Sequence, residues 1–593
     1  MCGIFGYLGQ KKNAATIVLE GLKRLEYRGY DSWGVAVMPG GTAKEQTITL
    51  KKRVGKIGDG TVADMPSSSF AVGHTRWATH GGVTQENAHP HLDCSKKVSV
   101  IHNGIIENYQ DLQKKLTKKH TFLSETDTEV VAHMLEEALQ KEEFSAALVR
   151  KVFSHLEGNN AIIVTHTSSR QIIAAKNGSP LIIGKSADGV LISSDPAALL
   201  THTKQVYFVE DDQLVILTDD QVQVSDVTTG KKIPFEFTTL EWDVEQTTKG
   251  EFKYFMEKEI REQPEIIERI ALQGEQDLKK IVALLSEYED VLFIGCGTAS
   301  YAAWAATYLF AEVAGKKVSY AAASEFEHQL QFISKETLVI ALSQSGETMD
   351  LINVMTTAKK QGAKVVAMVN VLGSTLYRMS DQQILIGAGP EKAVASTKAF
   401  IAKLSHLIRL VHAVAGEYKL GQSMLKASAG HVQALISDSS WKNLNAVAKK
   451  LHKQKHIFVM GRNSATVAAF EAALKIKEIS YIHAEGIIGG ELKHGPLALI
   501  EKGTACIVFV PPGKQATSTL TSAAEIKARG GYILGVATKP NPIFDDYIPV
   551  ADDNQATLLS QVVVGQILAY QITLLKELDP DMPRNLAKSV TVG

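Results

Sequence analysis

The second residue of the chain is a cysteine, in the run Cys2-Gly3-Ile4-Phe5-Gly6. A small residue behind the initiator lets Met1 be trimmed, so the mature chain is expected to begin with the thiol. One residue then carries a nucleophilic sulfur and a free α-amine whose ordinary pKa is near ~8. A terminal amine so placed serves as base for its own side chain. Alone, a cysteine in this place is explained by chance. Three further segments gather residue types that suit an amide substrate. His74-Thr75-Arg76-Trp77-Ala78-Thr79-His80-Gly81 sets an arginine between a strand and a loop. His102-Asn103-Gly104 ends a strand with a side-chain amide and a glycine N–H, and Ser124-Glu125-Thr126-Asp127 puts an acid at a helix start. A substrate with both an α-carboxylate and an α-ammonium group needs such an arginine and such an aspartate. Asn103 with the Gly104 N–H makes an oxyanion hole, where deleting one donor typically costs ~10²–10³ in rate. Each also has a plain structural reading: a surface ion pair for Arg76, a hairpin turn for Asn103-Gly104, a helix cap for Asp127.

A second set of residues suits a phosphorylated ligand. Leu342-Ser343-Gln344-Ser345-Gly346-Glu347-Thr348 leaves an apolar strand and opens a helix, and hydroxyls with backbone N–H groups at a helix N-terminus cradle phosphate. The turn Gly295-Cys296-Gly297-Thr298 supplies a second wall at the carboxyl edge of a sheet, where doubly wound folds place ligands. Further on, Glu471, Lys475 and Glu478 share one helix face, for which a solvated salt-bridge stripe is the ordinary expectation. His494 precedes Gly495-Pro496, the setting of a turn residue.

The elements that must position these groups are legible in outline. At 593 residues the chain is too long for one core, and three or four domains of ~150 residues are expected. Up to about Leu217, β-branched runs end in Gly, Asn or Pro, with helices predicted over Ala14–Leu25 and Thr128–Leu139, the latter capped by Thr126-Asp127. That mixture implies a layered domain built on antiparallel sheets. A polar, Thr-rich stretch closes it, and Gly250 to Leu285 reads as charged helix. From Val291 the pattern becomes strand, glycine turn, long helix, strand, which implies a parallel sheet covered on both faces. The pattern restarts at His456, giving two copies of one unit about 165 residues apart. In the second copy Val510-Pro511-Pro512-Gly513 stands where the first has its serine loop, and proline removes a donor.

Composition narrows the function classes. Apolar residues at 45% and charged residues at 21% describe an ordinary globular protein, and 63 basic residues balance 64 acidic ones to a net charge of −1. That balance offers no footprint for nucleic acid or an anionic membrane. No run of about 18 uninterrupted apolar residues is evident, so no membrane-spanning helix is expected. The start lacks a basic leader and cleavage site. Four scattered cysteines are too few for a disulfide framework or zinc knuckle. The expectation is a cytoplasmic protein with no metal and no cofactor.

The segments CGIFGY, LEYRGYDS, HTRWATHG, NAHPH, HNGIIENY and SETDTEV together resemble the N-terminal-nucleophile glutaminase domain of class II glutamine amidotransferases. The resemblance implies a four-layer αββα fold, with Cys2 as nucleophile and Asn103 and Gly104 holding the oxyanion. Arg76 and Asp127 would grip the carboxylate and amine of glutamine. Arg28, Thr79, His80 and His89 fall in matching segments as positioning residues, and Trp77 resembles the residue that gates ammonia passage. The later segments, with Val394-Ala395-Ser396-Thr397-Lys398 and the tail Arg584 to Val592, resemble the sugar isomerase half of the glutamine–fructose-6-phosphate aminotransferase family. This implies two doubly wound, flavodoxin-like SIS domains of parallel sheet. Ser343, Gln344, Ser345 and Thr348 would hold the phosphate, with Thr298, Val394, Ser396, Lys475 and Ala587 lining the sugar. Lys588 would form a Schiff base with the open-chain ketose, its pKa lowered by desolvation or by a cation such as Lys475. Glu478 would shuttle a proton between the first two carbons, and His494 would help open the ring, reaching across from the partner of a homodimer. The domains implied are 2–240 (glutaminase), 241–280 (linker with helix), 281–422 and 449–583 (the two SIS domains) and 584–593 (catalytic tail).

One departure stands out. The family turn reads Cys-Gly-Thr-Ser, and here Ala299 follows Thr298, with Ser300 one place later. Three other readings compete with this one. A phosphoribosyl acceptor requires an acidic pair beside a Thr/Ser-Gly loop, and Asp211-Asp212 has no such loop. An aminotransferase for another keto-sugar phosphate shares every motif. A sugar-phosphate sensor has no use for Cys2, Glu478 or Lys588.

Overall fold

The computed structural model describes residues 2–39 and 47–588; Met1 and tail residues 589–593 lie outside them. The chain divides into two compact units, Met1–Thr247 with Ala587–Gly593, and Thr248–Leu586.

In the first unit, strand Gly3–Gly9 alternates so that both faces are buried. Ile4 and Leu8 point into one apolar layer with Val72, Ile101, Ile163, Ile172 and Ile192. Phe5 and Tyr7 point the other way, against Val18, Leu22 and Leu25 of helix Ala14–Leu25. Period-two alternation with both faces apolar is what a strand sandwiched between two layers requires. An eight-stranded sheet carries Gly3–Gly9 and Phe70–Arg76 as antiparallel neighbours, and a six-stranded sheet carries Val98–Gly104 beside Asn160–His166. Helices Glu129–Ala138 and Ala146–Phe153 cover the outer face of the second sheet through Val131, Leu135, Val149 and Val152. The layers therefore run helix, sheet, sheet, helix, as expected. The predicted cap on Glu129–Ala138 is corrected: Thr128 occupies that position without a side-chain cap bond. Asp127 instead accepts the backbone N–H of Ile106 at 2.7 Å.

The second unit holds two five-stranded sheets. In chain order the first comprises Asp290–Gly295, Ser319–Ala322, Thr337–Ser343, Lys364–Val369 and Gln382–Leu385. The second comprises His456–Gly461, His483–Ile488, Ala505–Phe509, Tyr532–Ala537 and Asp546–Pro549. Every pairing is parallel, and both sheets take the spatial order 2-1-3-4-5, the flavodoxin-like arrangement. The predicted charged helix before them resolves into Phe255–Arg261, Gln263–Leu272 and Lys279–Glu287. The helix spanning Asn554–Leu575 is long and apolar enough to cross a membrane, but 89% of its apolar window is buried inside the protein. It packs among Val467, Ala472 and Ile476 of helix Ser464–Ser480. A helix apolar on all sides belongs in a protein core or a membrane; here it is core.

Candidate active site

Strand pairing creates the first cluster. Gly3 lies opposite Thr75, which sets Cys2 beside the residues that follow Arg76. The Trp77 N–H donates to the Cys2 sulfur at 3.3 Å. Asn103 reaches from the other sheet, its Nδ2 donating to the Cys2 carbonyl at 3.1 Å. Burial pushes the Cys2 thiol above its ordinary range, while the Trp77 N–H and the Arg76 charge pull it down. Asp127 acts electrostatically on both Cys2 and Arg76. Cys2, Arg76, Asn103 and Asp127 therefore form one cluster. Asn103-Gly104 is not a hairpin turn but the end of a seven-residue strand. Gly104 has φ +137°, and an added Cβ would sit 1.9 Å from the Asn159 carbonyl oxygen. Only glycine fits this place.

Arg76 is not a surface ion pair either. It is buried, and it donates to the carbonyls of Gly82 at 2.9 Å and Gly81 at 3.0 Å, and to that of His80. Arg28 is paired with Asp195 at 2.6 Å in a buried bridge that Tyr27 completes at 2.7 Å. Burial alone would raise Asp195, but the Arg28 guanidinium outweighs it and holds the carboxyl low. Next to Asp195, the Ser194 hydroxyl accepts the N–H of Ile4 at 3.0 Å. Arg28 thus steadies the strand behind Cys2. Trp77 stands edge-on to Tyr30 at 5.5 Å. Thr79 is exposed, and His80 lies edge-on to Tyr109 at 5.8 Å. His89 stacks on His74 at 4.3 Å.

His74 is the residue sequence reasoning missed. Its Nε2 lies 3.1 Å from Asn103 Oδ1 and 3.0 Å from the His102 carbonyl. Burial lowers its pKa to about 3, so the ring is neutral, and an Nε2–H facing two oxygens fixes the Asn103 amide with its NH₂ toward Cys2. The signal was its place at the head of the Arg76 segment. Glu125 was also passed over; it accepts the Gly82 N–H at 3.2 Å and Asn87 Nδ2 at 3.1 Å, tying the loop after Arg76 to the segment that carries Asp127.

In the second unit, Ser343 ends its strand, and its hydroxyl accepts the Gly346 N–H at 2.9 Å. The Glu347 N–H donates to Ser345 at 3.1 Å, and the Glu347 carboxylate accepts the Thr375 N–H at 2.7 Å. Gly346 has φ +67°, with Ser374 Oγ 2.1 Å from where a Cβ would lie. Thr348 opens helix Met349–Lys360 without capping it, its hydroxyl 3.4 Å from that of Ser343. Gln344 is half-buried beside them. Ser396 donates to Glu391 at 3.0 Å, and the Val394 N–H to the Asp581 carbonyl at 2.9 Å. Ser300 donates its hydroxyl back to the Gly297 carbonyl at 2.7 Å, so it does not replace the serine missing at Ala299.

The predicted solvated stripe is corrected: Glu471 and Lys475 are buried. Lys475 donates to Glu478 at 2.6 Å and Thr298 at 3.1 Å, and lies 3.4 Å from Glu471. Burial raises Glu471 to about 7, against the pull of Lys475. Burial alone would lower Lys475, but the two carboxylates keep it firmly cationic. A cation so compensated positions Glu478 and Thr298. His494 sits on an exposed turn, Leu492–His494, and no side-chain hydrogen bond joins it to this cluster among the described residues. Ala587 and Lys588 are half-buried and group with the first unit.

Comparison with known proteins agrees with this division. A glutamine amidotransferase domain family matches residues 74–201, and the SIS domain family matches 284–413 and 450–547. The glutamine–fructose-6-phosphate aminotransferase (isomerizing) of Pyrococcus horikoshii is 39% identical over 611 residues, covering 100% of both chains. The chain belongs to the glutamine–fructose-6-phosphate aminotransferase family. The Thermus thermophilus member is likewise 39% identical with 100% of both chains covered. Among solved structures, the C-terminal domain of the Francisella tularensis aminotransferase matches with a TM-score of 0.52 at 30% identity, covering 57% of this chain and 100% of that one.

Proposed function

We propose that this aminotransferase converts fructose 6-phosphate and glutamine to glucosamine 6-phosphate and glutamate. The observation that carries the reading is the end-to-end relationship to aminotransferases of that name, joined to a buried Cys2–Asn103–Arg76–Asp127 cluster suited to an amino-acid amide. With Met1 removed, the α-amine takes the thiol proton as sulfur attacks the glutamine amide carbon. Asn103 and the Gly104 N–H hold the oxyanion, ammonia leaves, and water releases glutamate from the thioester. Arg76 and Asp127 hold the α-carboxylate and α-amine, and Trp77 gates the ammonia.

In the sugar half, the Ser343–Thr348 loop binds phosphate. The Lys588 amine condenses with the C2 ketone and water leaves; ammonia then displaces the lysine. Glu478 moves a proton from C1 to C2, giving the aldose, and general acid–base steps of this kind contribute about 10²–10⁴ each. His494, on its exposed turn, serves the partner subunit of a homodimer in ring opening. Four free cysteines suit a cytoplasmic setting, where disulfides are rare. The deciding experiment is a product assay with glutamine and a panel of ketose phosphates. Glucosamine 6-phosphate formed only from fructose 6-phosphate supports the reading, and preference for another ketose phosphate overturns its substrate. Lys588→Ala should stop isomerisation and spare glutamine hydrolysis; retained isomerisation removes the Schiff base.

A further inference from the structure

We propose that Cys94, His120, His133 and Glu136 form a structural zinc site in the glutaminase unit, taking one Zn(II) per chain. Sequence reasoning expected no metal, because these residues share no compact ligand motif. The fold nevertheless brings one donor atom from each within 4.8 Å of the others.

Cys94 Sγ lies 3.8 Å from Nδ1 of both His120 and His133. Glu136 Oε2 lies 3.0 Å from the same two nitrogens. A tetrahedral zinc with Zn–S near ~2.3 Å and Zn–N or Zn–O near ~2.0 Å needs its ligand atoms about 3.3–3.6 Å apart. The four separations bracket that range. Thiolate, two imidazoles and one carboxylate also match the donor preferences of zinc rather than of calcium or magnesium.

The outer contacts argue the same way. His120 Nε2 lies 3.2 Å from Glu137, and His133 Nε2 lies 3.7 Å from Glu129. A carboxylate behind each ligating imidazole is the usual support of a metal-bound histidine. The two rings lie side by side, centroids 4.7 Å apart, with both Nδ1 atoms turned to the same Glu136 oxygen and to the Cys94 sulfur. With the ion, each Nδ1 lone pair goes to zinc and each Nε2 is left pointing toward its own carboxylate.

The placement gives the ion a purpose. His133 and Glu136 share a face of helix Glu129–Ala138, His120 comes from the segment before it, and Cys94 follows strand His91–Leu92. Glu129, behind His133, also accepts the N–H groups of Leu123 at 2.8 Å and Ser124 at 2.7 Å. Those residues lead directly into Glu125-Thr126-Asp127. Zinc would therefore brace the loop assigned to the amine of glutamine.

The test uses the untagged full-length protein. Elemental analysis after exhaustive dialysis should find one zinc per chain. Chelator-stripped protein refilled with Co(II) should show tetrahedral visible bands and a near-ultraviolet thiolate-to-cobalt band. That band should vanish in Cys94→Ser and persist in Cys296→Ser and Cys506→Ser. Glu137→Gln, which touches no donor, should weaken zinc binding about 10–100-fold. Stripping should lower the melting temperature and raise KM for glutamine more than it lowers kcat. Folded protein without stoichiometric zinc and without the cobalt band overturns the proposal, as does a band surviving Cys94→Ser. Should Cys94→Ser fail to fold, unchanged zinc affinity in Glu137→Gln overturns it instead.

Discussion

Lys475 donates a hydrogen bond to Thr298 at 3.1 Å, joining the helix of one parallel-sheet half to the helix start of the other. The same ammonium is 2.6 Å from Glu478, while Glu471 accepts from Thr298 at 3.3 Å. Glu471 and Lys475 are thus held together away from water, with Glu478 partly exposed beside them. Removing one partner of a buried ionic set leaves an uncompensated charge, at a cost of about 3–5 kcal/mol. Lys475→Met should destabilise the full chain by that order in denaturant unfolding. Glutamine hydrolysis by the protein that remains folded should be unchanged, since Lys475 belongs to the other unit.

Glu471 gives this cluster a pH dependence. Its pKa is raised by burial to about 7 from an ordinary 4.5. Between those values the folded state holds a proton that the unfolded state has released, so stability falls as pH rises through the window. Glu471→Gln keeps the shape and removes the titration. Denaturant midpoints measured from pH 4.5 to 7 should decline less in the variant than in the parent. Parallel curves would mean that Glu471 does not set the slope.

Much of this was legible in the sequence, and the reasons for the misses are physical. The strand containing Gly3–Gly9 and the helix Ala14–Leu25 follow from local pattern, because each is apolar in the period of its own element. The strand–loop–helix turn at Ser343–Thr348 follows from a serine run between an apolar strand and a helical pattern. The Glu471–Lys475–Glu478 face was misjudged because i, i+4 spacing is identical for a solvated stripe and for a buried pair with a third residue at its rim. Only the packing of the partner helix tells them apart. The Asp127 cap was misassigned because Asp at a helix start suits both a cap and a long-range acceptor. Helix 557–575 was overlooked as an apolar span because Gln561, Gln566 and Gln571 interrupt the run; they are buried, with partners that include Val510, Gln263 and Asn445. For His74 the sequence offered only its place at the head of the Arg76 segment, since its role rests on a contact between two sheets.

That contact yields a kinetic prediction. Asn103→Ala removes a proposed oxyanion donor and should lower kcat for glutamine hydrolysis by ~10²–10³ with little change in KM. His74→Ala leaves the donor present but unoriented, so kcat should fall less. The double variant should be no worse than Asn103→Ala alone, because one residue acts through the other. Additive losses would separate the two roles. Burial keeps the His74 pKa near about 3, so the pH profile of kcat above pH 5 should be the same in parent and His74→Ala.

The sugar half offers a gain-of-contact test. Ala299 replaces the family's serine at the head of helix Thr298–Val313, and Ser300 is occupied by the Gly297 carbonyl. A hydrogen bond to a charged group contributes about 1.5–3 kcal/mol. Ala299→Ser should therefore lower KM for fructose 6-phosphate by roughly tenfold or more if its hydroxyl meets the phosphate, with glutamine hydrolysis unchanged. An unaltered KM would show that the backbone and the Ser343–Thr348 loop already satisfy the phosphate.

The nucleophile itself separates the two chemistries. Cys2→Ala removes the sulfur but not the Asn103, Arg76 and Asp127 groups around it, so the glutamine site should still bind and no longer hydrolyse. Ammonia supplied as an ammonium salt bypasses that step and should support glucosamine 6-phosphate formation at near-parental rate. Retained Met1 should have the same effect as the substitution, because the α-amine would then sit one residue away from the thiol. Intact mass alongside glutaminase assay measures this, and full hydrolysis by chains that keep Met1 would exclude the terminal amine as the base.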